Sequence, residues 1–141
     1  MEGRFPYKKL PKYPHLKPAD IKIWERFIEA YPGYFDSVDY DIKIGTPREY
    51  SGHPGDVIKE DLEYLSRKRI DVVGYTGEDI SIVEVKPLAG VSAIGQVECY
   101  TALYRPFVVE RINIVSVIIT DAEVPDIKDL CFKRGIFYFI V

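Results

Sequence analysis

The sequence predicts an α/β fold, a mixed β-sheet flanked by helices. Two observations carry this. Apolar residues switch between helical spacing and strand-like runs in the order α-β-β-β-α-β-α-β, with a further short helix after the first strand. Proline or glycine marks nearly every junction. At 141 residues and 47% hydrophobic content, one domain with one core is expected.

Residues 1–17 read as a basic, proline-rich N-terminal arm, with Pro6, Pro11 and Pro14 favouring extended backbone. The single domain spans 18–141. Pro18 opens the first helix, where proline's fixed φ fits. Ile21, Trp24, Phe27, Ile28 and Tyr31 then recur at helical spacing until Pro32-Gly33 stops them. Ser37 to Ile44 (SVDYDIKI) alternates apolar and polar, as a half-exposed strand does. Residues 45–55 hold three glycines and two prolines and read as a loop. A short helix over 56–66 follows, with Ile58, Leu62 and Leu65 on one face.

Arg69–Tyr75 and Asp79–Lys86 read as two strands. A helix begins at Gly90 or Ser92 and runs to about Tyr104, closed by Pro106. Ile112–Thr120 (INIVSVIIT) is almost wholly apolar, as a strand covered on both faces is. Pro125 and Asp126 start a last helix, and Lys133, Arg134 and Gly135 end it. Ile136–Val141 is the final strand. An antiparallel meander thus precedes parallel crossovers.

Composition excludes several classes. The apolar runs are too short and broken to span a bilayer. Lys8, Lys9 and Lys12 are not followed by an apolar signal segment, so a soluble, cytoplasmic protein is expected. Cys99 and Cys131 have no Cys or His partner near them in sequence, which argues against zinc or iron–sulfur ligation; two buried free thiols are expected. Net charge is -3, but residues 1–17 carry +4 and the remainder -7. A basic arm on an acidic body can meet phosphate locally, or can be a solvated tail.

The chemistry gathers between Arg69 and Tyr100. With Gly77-Glu78 as a two-residue turn, Asp71 faces Glu84 across the hairpin, and Lys86 shares their side of the sheet. Facing carboxylates repel, and the apolar context of Ile82, Val83 and Val85 makes unpaired charge costly. A hard divalent cation held by Asp71, Glu84 and the backbone carbonyl of Val85 would resolve the conflict. Alone, the Glu-x-Lys triplet is common and reads more readily as a surface ion pair. Gln96, the chain's single glutamine, follows on the next helix, with Tyr100 one turn on and on the same face. Gly95, Cys99 and Ala102 are small enough to let that helix approach the sheet.

The ordered set Asp71, Glu84-Val85-Lys86 and Gln96-x-x-x-Tyr100 resembles the PD-(D/E)XK nuclease superfamily. The last element resembles the RecB-like group, and RIDVV, IVEVKP and AIGQVECY are similar to NucS-type DNA endonucleases. The resemblance covers 69–100 by motif and 18–141 by element order. It implies a restriction-endonuclease-like core and a deoxyribonuclease dependent on Mg²⁺ or Mn²⁺. Such an enzyme would cut DNA internally or from an end, as in repair, recombination or replication. It further implies that Asp71 and Glu84 ligate the metal, that Lys86 assists the attacking water, and that Gln96 and Tyr100 position the lysine and DNA. The family often adds a glutamate from the first helix, and Glu25, near the edge of the apolar face, is the expected one. Ile70 stands where the family's name has proline, and the cysteine clusters of its iron–sulfur members are absent.

Phosphate contacts are expected from Arg67, Lys68 and Arg69, which lead into the site, and from Lys8, Lys9 and Lys12 in the arm. His53 and Asp56 lie in the preceding loop, where a solvated role is the default. The expected partner is DNA, whether duplex, single-stranded or branched. RNA remains a third reading for the same fold. A homodimer through 136–141 or the arm would enlarge the binding surface. The runner-up function is a catalytically silent nuclease-fold module that binds nucleic acid or protein.

Overall fold

A computed structural model describes residues 2–46 and 68–141. The helix expected over 56–66, together with His53, Asp56 and Arg67, lies outside the described residues. Among the described residues, six strands form one mixed sheet in chain order: β1 (Phe5–Pro6), β2 (Ser37–Ile44), β3 (Lys68–Thr76), β4 (Asp79–Val85), β5 (Asn113–Thr120) and β6 (Phe137–Ile140). β1 to β4 pair antiparallel, whereas β5 joins β4 and β6 joins β5 in parallel. Parallel neighbours need crossovers. Helices α2 (Val91–Tyr104) and α3 (Ile127–Lys133) supply them, and α1 (Pro18–Ala30) precedes β2. The mixed α/β architecture expected from the sequence is present.

Two apolar layers sandwich the sheet. Under α1, Trp24 and Phe27 pack on Val38, Tyr40, Val72, Val83, Val85, Val117 and Ile119. The buried indole Nε1 of Trp24 donates to the Tyr40 hydroxyl at 2.9 Å, so neither polar group is left unsatisfied. Under α2 and α3, Ala93, Ile94, Val97, Ile127 and Cys131 pack on Ile80, Ile82 and Ile118. Val117, Ile118 and Ile119 therefore alternate between the layers, which is why β5 reads as a continuous apolar run. Each such side chain stabilises the fold by roughly 1.5–3 kcal/mol on burial.

The N-terminal arm is not a free tail. Phe5 and Pro6 pair with Val38 and Ser37 as the outermost strand. Gly3 N–H donates to Ser37 Oγ at 2.7 Å, and Arg4 N–H donates to Asp39 Oδ1 at 2.8 Å. The Tyr7 ring meets Trp24 and Phe35 edge-on. Tyr13 and Leu16 are buried. Aromatic side chains spaced between the lysines give the arm something to bury, and the charge count alone hides this.

The β2–β3 ladder is interrupted at one point. Tyr40 pairs with Val72 and Ile42 with Ile70, but Asp41 and Asp71 between them form no bridge. Asp41 has φ 54, in the left-handed region. Side chains change layer there: Tyr40 and Val72 lie under α1, whereas Ile42 and Ile70 pack with the α2 layer. A regular strand would keep residues two apart on one face. The break opens the sheet at Asp71.

Two expectations fail on α2. Cys99 is exposed; only Cys131 is buried. Gly95 and Ala102 are exposed as well. The helix packs through Ala93, Ile94 and Val97, and its small residues face outward. Gly95 would need no special freedom, since a Cβ there would meet nothing within 4 Å.

Candidate active site

The hairpin has the register that a Gly77-Glu78 turn demands. Thr76 pairs with Asp79, Tyr75 with Ile80 and Val72 with Val83. Gly77 takes φ 54, which a two-residue hairpin turn requires at its first central position. Its N–H donates to Asp36 Oδ2 at 2.9 Å. One step beyond the last bridge, Asp71 comes opposite Glu84. There the ladder gives way to a side-chain bond, with Val85 N–H donating to Asp71 Oδ2 at 3.0 Å. Asp71, Glu84, Val85, Lys86 and Gln96 line one cavity of about 410 Å³, together with His15, Lys17, Ala19, Asp20 and Pro87.

Burial sets the electrostatics. Glu84 is only 8% exposed and Asp71 is half-buried. Burial pushes the Asp71 carboxyl well above the ordinary range; the Val85 N–H bond opposes this, and Asp20 adds to it. Burial also pushes Glu84 up, the charge of Asp71 adds to the effect, and Lys86 opposes it. The Asp20 carboxyl is raised by its own burial. Two acids thus share a site that favours their protonated forms unless a cation joins them.

The remaining side chains are placed by the elements around them. Lys86 Nζ donates to Ser92 Oγ at 3.1 Å, beside the start of α2. The connection from Lys86 to α2 is pinned: Leu88 N–H donates to Asp121 Oδ1 at 2.9 Å, and Ala89 N–H to Thr120 Oγ1 at 3.0 Å. Gln96 Oε1 is buried without a hydrogen-bond partner. Tyr100 packs against the α2 layer, and its hydroxyl is raised by burial and then by the charges of Glu84 and Asp71.

Glu25 does not line the cavity. Its Oε2 accepts a hydrogen bond from the Tyr13 hydroxyl at 2.8 Å. The first helix instead brings Asp20, at its N-terminal turn, to the acidic pair. A helical wheel drawn on Trp24 finds the buried face but not which end of the helix meets the site. Lys17 and His15, from the segment leading into α1, were also missed.

A second, smaller cavity of about 110 Å³ lies on the β2 side of Asp71, lined by Pro14, His15, Leu16, Asp41, Arg69 and Asp71. Arg69 NH1 lies 2.9 Å from His15 Nδ1 and 3.5 Å from Asp41 Oδ1. His15 Nε2 is 3.4 Å from Asp41 Oδ2. Arg69 is thus half-buried beside the site rather than on an open basic turn, and Lys68 is exposed. In the arm, Lys8 and Lys12 are exposed, and Lys9 pairs with Glu29.

Among the described residues, no three His, Cys, Asp or Glu side chains converge on a ready-made metal cage. The donor set still fits a hard divalent cation that keeps most of its waters, because such an ion takes only one or two carboxylates from protein. Asp71 and Glu84 are the residues that would hold it. Among the described residues, no helix is long and apolar enough to cross a membrane. No protein-family model, curated protein or solved structure matches this chain.

Proposed function

We propose that the chain is a Mg²⁺- or Mn²⁺-dependent nuclease that hydrolyses DNA phosphodiester bonds on a restriction-endonuclease-like core. The observation that supports this best is the shared cavity of Asp71, Glu84 and Lys86 at the opening of the sheet. A buried and a half-buried acid opposed across paired strands gain nothing structurally from their mutual repulsion. A bound divalent ion would neutralise them, lower the pKa of a water and stabilise charge on a phosphoryl oxygen. Lys86 would orient the attacking water and offset charge at the phosphate. Gln96, whose Oε1 lacks a partner, would hold a water or a substrate donor. Lys17, Lys68 and Arg69 would steer the phosphate backbone, with Lys8 and Lys12 as outlying contacts.

A second reading is a silent module that binds nucleic acid or protein. Titration calorimetry separates the two. The nuclease reading expects Mn²⁺ to bind the wild type and not Asp71→Asn; no heat with the wild type would favour the silent module.

A dimer would extend the binding surface. Strand β6 forms one edge of the sheet, and its Phe137 and Ile140 are exposed. Light scattering that finds only monomer would exclude this.

A further inference from the structure

We propose that His15 is the group that meets the leaving oxygen when a phosphodiester is cut over Asp71, an inference that rests on the nuclease reading. In the sheet, β3 lies between β2 and β4. The cavity with Glu84 and Lys86 therefore lies on the β4 side of Asp71, and the cavity with Asp41 and Arg69 on the β2 side. His15 and Asp71 line both. Displacement at phosphorus is in line, so nucleophile and leaving group occupy opposite sides of the reacting atom. With water delivered from the Lys86 side, the leaving oxygen points toward His15 and Arg69.

The ring is set up for this task. A guanidinium can only donate, so the contact from Arg69 makes His15 Nδ1 an acceptor and leaves the proton on Nε2. Asp41, 3.4 Å from Nε2, lies beyond a full hydrogen bond, so the proton is open to a stronger acceptor. His15 has φ 53 and Asp41 φ 54. Left-handed backbone at two non-glycine residues that face each other is a conformation the surroundings must enforce. Tyr13 and Leu16, 6% and 9% exposed, hold the segment down on either side of His15.

The step balances without further reagents. The water oxygen bonds to phosphorus, and its proton passes to solvent. The bond from phosphorus to the leaving sugar oxygen breaks, and its electron pair stays on that oxygen. The Nε2–H hydrogen bond holds this charge until solvent protonates it.

The test compares two oligonucleotides with Mn²⁺ present: one with the ordinary linkage, and one with sulfur as the bridging atom on the leaving side. A thiolate is a weak base and leaves without a donor. For each protein the ratio of the two rates is read, so a change in folded fraction cancels. His15→Ala is expected to slow the ordinary linkage about 100-fold, at the lower end for a hydrogen-bond donor aimed at a developing oxyanion, and to leave the sulfur linkage nearly unchanged. His15→Gln, which retains an N–H, recovers part of the loss. An unchanged ratio in His15→Ala overturns the proposal. If the wild type cuts neither substrate, the nuclease reading fails, and this inference fails with it.

Discussion

The hydroxyl of Tyr13 donates to Glu25 Oε2 at 2.8 Å, and the same hydroxyl accepts from Leu10 N–H at 2.9 Å. Glu25 thereby ties the segment that carries His15 and Lys17 to α1. It acts on that segment, not in the cavity.

Glu25→Ala is therefore expected to cost about 1 kcal/mol of stability, the typical worth of one such bond. Its cleavage rate should stay within about threefold of wild type, whereas Asp20→Ala, which removes a carboxylate from the cavity, should lose about tenfold or more. Thermal melts and kcat/KM on one DNA substrate check both. A larger catalytic loss in Glu25→Ala than in Asp20→Ala would restore Glu25 to the site.

The acidic pair predicts a pH dependence without metal. Asp71 is pushed up to about 7 and Glu84 to about 8, from ordinary carboxyl values of 3.8 and 4.5. The folded protein holds these protons more tightly than the unfolded chain does. The pair's contribution is thus fully present below about pH 4 and is lost as pH rises through 7 to 8. In chelator, stability should fall as pH rises from 5 to 9. Glu84→Gln should flatten the profile, and Mg²⁺ should stabilise more at pH 9 than at pH 5. Denaturant melts across pH, with and without metal, measure this.

Gly74 tests the packing beneath α1. A Cβ there would lie 2.3 Å from Phe35 Cε1. Phe35 is 2% exposed and enclosed by Tyr7, Trp24, Phe27 and Tyr34, so its ring cannot withdraw. Gly74→Ala should cost about 1–3 kcal/mol or more, as overpacking does. A shift in the denaturant midpoint gives the value.

Gly3 tests the arm in the same way. A Cβ there would lie 2.3 Å from the Val38 carbonyl oxygen. Gly3→Ala should release β1 and speed hydrogen exchange at Arg4 and at the substituted position itself, leaving β3 and β4 protected. A free, solvated arm would show no change.

Much of this was legible in the residues, and the gaps have physical causes. The Gly77-Glu78 turn sets the register from β3 into β4, so counting from it brings Asp71 opposite Glu84. Apolar patterning, together with start and stop signals at Gly90, Pro106, Pro125 and Gly135, finds α1, α2, α3 and strands β2 to β6. The arm's packing is hidden because two-residue β1 has no period to read, and its aromatic contacts reach far along the chain. The left-handed turns at His15 and Asp41 have no sequence mark, since neither is glycine. SVDYDIKI alternates regularly, yet the break at Asp41 sends Tyr40 and Ile42 to opposite layers. Small residues on α2 suggested close approach to the sheet, but the larger apolar face won because it buries more area.

The most direct test of the central claim is cleavage itself. Single-stranded, duplex and branched DNA are incubated with the protein, with Mg²⁺, Mn²⁺ or chelator, alongside Asp71→Ala and Lys86→Ala. Metal-dependent cutting of at least one substrate by the wild type, lost in both variants while their melting transitions remain cooperative, is the expected result. All three substrates intact with either metal, or cutting that survives Asp71→Ala, would contradict it.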